Sequence, residues 1–284
     1  MKKIVQRLIV FFVGFPALLA VVIFFPQYNH LLLNLVCITF TVLGAVEFRN
    51  ILTHKNIVIS IPEAVILGGI SPAAWTVVMS FGVAGNIVPG AFILGAFWLL
   101  VSRIFTTAEK LDLYIGRTTA GFAIMIYPGL FMAWIVQMAV FPEAGFVILV
   151  FFLVAFLNDG AAWLAGMLFG EGNRGIVHVS PKKSVAGFAG GLAASVGTGL
   201  LAVKFFPAAF TSPVMPSNFA GALLGLGGGA AAILGDLCES ALKRSAGVKD
   251  SGTLILGRGG ALDSIDSLAL AAPVYYIIYQ VLFQ

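Results

Sequence analysis

Nine apolar segments run through this chain of 284 residues, and they constrain its fold more than any other feature of the sequence. We divided the chain at Pro, Gly and charged clusters, and most segments reach the roughly 20 apolar residues that a helix needs to cross a bilayer. The segments are 7–26, 30–49, 56–82, 87–105, 118–141, 144–169, 184–206, 218–246 and 267–283. The pattern predicts an all-α, polytopic integral membrane protein with about nine transmembrane helices, because a spanning helix satisfies its own backbone hydrogen bonds.

The composition supports this class and argues against others. Charged residues make up only 10% of the chain and hydrophobic residues 60%, with a mean hydropathy of +1.04. A soluble domain carries about 25% charged residues, so a soluble enzyme, a disordered chain or a nucleic-acid-binding domain is not expected. We expect the first segment to be a retained span, because it lacks a signal-peptide cleavage site. The third segment contains Pro62 and Pro72 and is a candidate for a bent or split helix.

The basic residues predict the orientation. If the N-terminus is cytoplasmic, fifteen of the sixteen Lys and Arg residues fall on the cytoplasmic side, and only Lys204 falls on the other. The fifteen are Lys2, Lys3, Arg7, Arg49, Lys55, Arg103, Lys110, Arg117, Arg174, Lys182, Lys183, Lys243, Arg244, Lys249 and Arg258. We therefore expect an inner-membrane protein with a cytoplasmic N-terminus and an external C-terminus.

The polar residues are distributed unevenly, and this suggests two functional regions. The first half consists of plain spans with short joins, whereas the second half holds nearly all the unusual acids and the longest polar loops. We therefore predict an N-terminal scaffold of transmembrane helices, residues 1–141, and a C-terminal transmembrane catalytic region, residues 142–284. Glu47, two residues before Arg49 at a span end, is typical of a solvated interfacial acid.

Acids inside or beside spans are costly and suggest a site. Asp159 follows a long apolar run. Asp236 and Glu239 share one helix face with Lys243, which fits either a site or an ion pair between helices. Asp263 and Asp266 lie three residues apart at the start of the last span, where one acid is explained by helix capping but two suggest ligands for a hard cation. Oxygen ligands without a Cys or His cluster favour Mg²⁺ over zinc.

Basic and glycine-rich stretches accompany these acids. Ser180-Pro181-Lys182-Lys183-Ser184 precedes the seventh segment, and Lys243, Arg244 and Lys249 close the eighth. Gly252, Gly257, Gly259 and Gly260 form a loop whose backbone amides suit an anion. Each lysine alone fits a positive-inside loop, but the combination with carboxylates and a divalent cation suits a phosphate-rich substrate. The chain has no P-loop, HExxH or GxSxG motif.

One spaced motif resembles a known family. Ser240-Ala241-Leu242-Lys243-Arg244, then Lys249-Asp250, then Gly259-Gly260-x-x-Asp263-x-x-Asp266-Ser267 resembles the signature of phosphatidate cytidylyltransferases (CDP-diacylglycerol synthases). Asn158-Asp159, the Ser180–Ser184 stretch and Gly235-Asp236-Leu237 are also similar to that family, so the likeness runs from about residue 158 to 267. Arg258 and Ser264 stand where the family usually has His and Arg.

The resemblance implies an enzyme of phospholipid biosynthesis that transfers a cytidylyl group from CTP to phosphatidate, giving CDP-diacylglycerol and pyrophosphate. It implies Mg²⁺, with room for a second cation, on Asp236, Asp263 and Asp266, and a site facing the cytoplasm. Lys243 and Lys249 join those acids as catalytic residues, and a homodimer is compatible. The implied substrate-binding residues are Asn158, Asp159, Ser180, Lys182, Lys183, Ser240, Arg244, Asp250, Arg258, Gly259 and Gly260.

Two other functions stay open at this point. A CTP-dependent lipid-alcohol kinase would use similar phosphate chemistry but would transfer the γ-phosphoryl group. A cation-coupled secondary transporter would place Asp159, Asp236 and Glu239 in an ion path, although their expected position towards the cytoplasmic end argues against it.

Overall fold

The computed structural model describes residues 10–104, 111–255 and 259–284, and most of these residues are helical. The helices are α1 (Phe15–Phe24), α2 (Gln27–Thr53), α3 (Ile61–Phe81), α4 (Ile87–Val101), α5 (Tyr114–Val140), α6 (Ala144–Phe169), α7 (Val185–Phe205), the short α8 (Pro207–Phe210), α9 (Ser217–Ser245) and α10 (Leu262–Phe283). No β-strand occurs in those ranges, which contain only two isolated bridges.

Among the described residues, seven helices are long and apolar enough to cross a membrane: α2, α3, α5, α6, α7, α9 and α10. The helices α1 and α4 are apolar but shorter. The predicted all-α, polytopic membrane fold is therefore confirmed, while the count of nine crossings and the cytoplasmic N-terminus stay predictions. The third segment is not split. Pro62 lies in the first turn of α3, where a missing N–H costs little, and Pro72 lies inside α3 without ending it. The last helix begins at Leu262, five residues before the apolar segment 267–283, so Asp263 and Asp266 both lie in its first two turns.

The chain packs as two compact units. Unit 1 comprises Met1–Gln137 and Leu242–Ile265, and unit 2 comprises Met138–Ala241 and Asp266–Gln284. The helices α9 and α10 each contribute residues to both units. The functional division that we expect at residues 141 and 142 stays a prediction.

Close helix contacts and an ion pair contribute to the packing of unit 1. Gly68 of α3 packs so closely against Ala45 of α2 that an added methyl group would overlap the alanine side chain. Phe48 meets Tyr127 edge to face at 6.0 Å between ring centroids. Glu63 pairs with Arg103 at 2.7 Å. Small residues at such interfaces let helix backbones approach each other in a bilayer.

Unit 2 uses glycine in the same way. Gly191 of α7 packs against Asn158 of α6, and Gly199 of α7 packs against the backbone of Gly221 in α9. The hydroxyl of Tyr275 in α10 donates to the carbonyl of Val147 at 3.1 Å. These contacts bring the polar residues of α6, α7, α9 and α10 into one helix cluster.

Candidate active site

A buried ion pair forms the centre of the polar cluster in unit 1. Lys243, in the last turn of α9, lies 2.5 Å from Oδ1 of Asp263, in the first turn of α10. The two side chains are only 10% and 9% exposed. The helix dipole favours a cation at a C-terminus and an anion at an N-terminus, so both residues sit where the backbone stabilises their charge.

The loop between α9 and α10 surrounds the other oxygen of Asp263. Oδ2 accepts hydrogen bonds from the backbone N–H of Gly260 at 2.7 Å and from the N–H and hydroxyl of Ser251 at 3.0 and 2.8 Å. Gly259 has φ +114°, a conformation that L side chains rarely adopt. Two features therefore explain why residue 259 is glycine. Its backbone has a positive φ, and a side chain there would overlap the carboxylate of Asp263.

Glu47 was expected to be solvated, and that expectation is wrong. The residue is 8% exposed and lies within α2. Its Oε2 accepts from the backbone N–H of Leu262 at 2.8 Å and lies 3.0 Å from the hydroxyl of Ser251, whose one hydrogen it shares with Oδ2 of Asp263. Sequence reasoning missed both Glu47 and Ser251 as members of this cluster. The sequence feature that indicates Glu47 is a carboxylate within an apolar span, which is costly unless the carboxylate has partners. The position of Glu47 near a span end made a solvated acid the simpler interpretation.

A second Lys–Asp pair lies in unit 2. Lys183 Nζ is 2.6 Å from Oδ2 of Asp236 in α9, and the side chains are 23% and 32% exposed. The hydroxyl of Ser240, one turn along α9, is 3.5 Å from Oδ1 of the same aspartate. Ser184 caps α7 by accepting from the N–H of Gly187 at 3.0 Å, and this cap fixes the end of the Ser180–Ser184 stretch at the start of α7.

Further carboxylates of unit 2 interact with Asp266. The carboxylate of Asp266 interacts electrostatically with those of Asp236, Glu239 and Asp159. Glu239 is fully buried. Oδ1 of Asp266 accepts from the backbone N–H and hydroxyl of Ser267 at 2.6 and 3.2 Å. Several carboxylates that interact in one region favour a cation there, because repulsion between like charges is costly at low dielectric.

Asn158 ties α6 to its neighbours. The residue is 1% exposed, and its amide donates to the hydroxyl of Ser195 in α7 at 2.8 Å and to the carbonyl of Gly229 in α9 at 3.3 Å. Ser195 was not predicted from the sequence, where it is one small polar residue among several in α7. The observed contacts give Asn158 a structural part in holding three helices together.

The acids expected to bind Mg²⁺ are partly engaged by lysines. Asp236 is paired with Lys183, and Asp263 with Lys243. Within the described ranges, no three His, Cys, Asp or Glu side chains are placed to hold a metal ion. The donor chemistry still fits a hard cation, because Asp236 and Asp266 offer carboxylate oxygens beside further acids. The magnesium assignment stays a prediction.

The remaining predicted site residues flank these clusters. Lys182, Arg244, Lys249 and Asp250 are exposed, and Ser180 is half-buried. Arg244 Nη1 donates to the carbonyl of Val248 at 3.0 Å and so helps to close the turn after α9. Arg258 lies outside the described residues.

Several known proteins with similar sequences are named phosphatidate cytidylyltransferases. The chain is 39% identical over 139 residues to a phosphatidate cytidylyltransferase of Synechocystis sp., covering 49% of this chain and 45% of the relative. It is 38% identical over 135 residues to the phosphatidate cytidylyltransferase of Haemophilus influenzae, covering 47% of this chain and 46% of the relative. The chain thus spans about half the length of these two relatives. It is 34% identical over 203 residues to the phosphatidate cytidylyltransferase of Brucella suis biovar 1, covering 65% of this chain and 72% of the relative.

The similarity extends well beyond the signature. The model of the cytidylyltransferase family matches residues 5–282, so the apolar N-terminal helices are included together with the polar clusters of α9 and α10. On this match, the chain belongs to the cytidylyltransferase family.

Proposed function

We propose that the protein transfers the cytidylyl group of CTP to phosphatidate, forming CDP-diacylglycerol and pyrophosphate. Family membership and the names of the relatives support this reaction. The structural observation that carries it is the pair of Lys–Asp contacts, Lys183–Asp236 and Lys243–Asp263, both involving helices of the signature region. Lysines and acids in close contact suit substrates that bring several phosphates and a cation.

The reaction joins two anions, so charge compensation is the main task of the protein. An oxygen of the phosphatidate phosphate attacks the α-phosphorus of CTP, and the bond from that phosphorus to the bridging oxygen breaks. Pyrophosphate leaves with the electron pair of that bond. The nucleophile is already ionised and needs little help from a base, so catalysis depends on alignment and on cations near the phosphates.

The basic residues divide by exposure. Lys243 and Lys183 are paired with acids and would hold phosphate oxygens close to those acids. The exposed Lys182, Arg244 and Lys249 suit the polyphosphate of CTP arriving from water. Asn158, Asp159, Ser180, Ser240, Asp250, Arg258, Gly259 and Gly260 are proposed to complete substrate binding.

Magnesium belongs to this proposal. Asp236 and Asp266 would hold the ion, and Asp263, one turn before Asp266 on α10, is the third proposed ligand. When bound, the cation would neutralise phosphate charge and help to align the two substrates. A second cation at the site and a homodimeric assembly are both compatible with this reaction. The positive-inside pattern supports a site on the cytoplasmic face of the cell membrane.

The test uses the purified full-length chain in detergent with phosphatidate, Mg²⁺ and CTP labelled on either the α- or the γ-phosphorus. The expected result is lipid labelled only from α-labelled CTP, with release of pyrophosphate. Labelling of the lipid by γ-labelled CTP would show transfer of the γ-phosphoryl group, so the protein would be a lipid-alcohol kinase instead. The absence of CTP-dependent labelling would overturn the proposal.

Two further arms address the metal. EDTA should abolish the reaction and added Mg²⁺ should restore it, and activity that persists in EDTA would overturn the magnesium assignment. The D263N variant should lose most activity because the amide neither pairs with Lys243 nor binds a cation well. Full activity in this variant would exclude Asp263 from the site.

A further inference from the structure

Glu47 connects an N-terminal helix to the start of α10. Its Oε2 accepts from the N–H of Leu262, the first residue of α10, at 2.8 Å. The first N–H groups of a helix have no partner within the helix and attract negative charge. A buried carboxylate from α2 therefore caps α10 from 215 residues away in sequence.

The same carboxylate oxygen reaches Asp263 through one serine. The hydroxyl of Ser251 lies 3.0 Å from Glu47 Oε2 and 2.8 Å from Asp263 Oδ2. The backbone N–H of Asp263 in turn donates to that hydroxyl at 3.3 Å. Asp263 is therefore restrained at its backbone and at its side chain by a serine whose hydroxyl is shared between Asp263 and Glu47.

Glycines make room for this arrangement. A methyl group added at Gly252 or Gly260 would overlap the carboxylate of Glu47. Gly44, one turn before Glu47 on α2, packs against Leu262 and Ile265, where an added methyl group would lie within 3.7 Å of both. The space for Glu47 thus accounts for Gly260 independently of any substrate.

We infer that Glu47 is a positioning residue that, through Ser251 and the N-terminus of α10, holds Asp263 in the orientation that the reaction requires. The inference rests on the proposed function for the role of Asp263, but not for the contacts themselves. Residues that orient a ligand or catalytic group commonly change activity 10- to 100-fold when they are removed.

The test compares Glu47→Ala and Glu47→Gln with Glu63→Ala in the full-length chain. Glu63 is a matched control, because it is also a largely buried acid of unit 1 with one close partner, Arg103. We expect E47A to lower kcat roughly 10- to 100-fold with a smaller effect on the KM for CTP. E47Q should lie between E47A and the wild type, and E63A should keep kcat even if its thermal midpoint falls.

Coupling to Ser251 distinguishes positioning from general stability. The S251A variant should reproduce much of the loss in kcat, and the E47A/S251A double variant should lose less than the product of the single effects. A fully multiplicative double variant, or a kcat for E47A equal to that of E63A, would overturn the inference. If E47A does not fold, E47Q and S251A carry the same comparison.

Hydrogen exchange gives a readout that does not depend on activity. The amides of Ser251, Leu262 and Asp263 should exchange faster in E47A than in the wild type, and should be unchanged in E63A. Unchanged exchange in E47A would overturn the inference even if activity fell. If the wild type does not transfer a cytidylyl group, the proposed function fails, while faster exchange would still establish the anchoring by Glu47.

Discussion

Lys243 and Asp263 are 20 residues apart in sequence, and their contact depends on the loop that joins α9 to α10. Helix spacing placed Lys243 on one face with Asp236 and Glu239, but spacing alone does not identify the acid that each lysine meets. In the structure Lys243 meets Asp263 and Lys183 meets Asp236. The difference between the two pairs is burial, which only the surrounding helices determine.

This difference predicts unequal costs for removing each lysine. K243M should destabilise the protein by about 3–5 kcal/mol, because it leaves a buried acid without its cation. K183M should cost less, about 1–2 kcal/mol, because the Lys183–Asp236 pair is more exposed and water can partly replace the lysine. Denaturant unfolding of both variants in the same detergent measures the two values. Equal destabilisation would contradict the burial argument.

At the scale of helices, glycine determines how closely unit 2 packs. The apolar pattern predicts α6, α7 and α9 to within a few residues, because burial in lipid requires uninterrupted apolar length. It does not show which glycines lie at contacts. Gly199 of α7 lies against the backbone of Gly221, whereas Gly197, two residues earlier, has open space where a side chain would begin.

The two glycines should therefore respond differently to alanine. G199A should destabilise unit 2 by about 1–3 kcal/mol, because the new methyl group overlaps backbone that has to move. G197A should be neutral or stabilising by up to about 1 kcal/mol, because alanine favours the helix. Thermal unfolding in detergent provides the comparison. A G197A variant at least as unstable as G199A would show that this contact does not limit packing.

For the whole molecule, the distribution of basic residues predicts a direction of insertion. Fifteen of sixteen Lys and Arg residues fall on one side if the N-terminus is cytoplasmic, and such a bias controls orientation during insertion. The exposed loop residue Lys182 should then face the cytoplasm, and Gln284 the outside.

Cysteine labelling tests this orientation. In a variant without native cysteines (Cys37→Ala, Cys238→Ala), Q284C should react with an impermeant reagent added to intact cells. K182C should react only after the membrane is opened. The opposite labelling pattern would show that the N-terminus is external, and it would place the proposed site on the external face of the membrane.

The sequence by itself determined the membrane class, the approximate helices and the family resemblance, because hydropathy, charge bias and a spaced motif are local properties of the chain. It also identified Asp236, Lys243, Asp263 and Asp266 as residues of interest. Only the tertiary structure decided which acid each lysine meets and that Glu47 is buried against Ser251 and Leu262. Burial and pairing depend on residues far apart in the chain, and helical periodicity cannot specify which distant helix a polar side chain will contact.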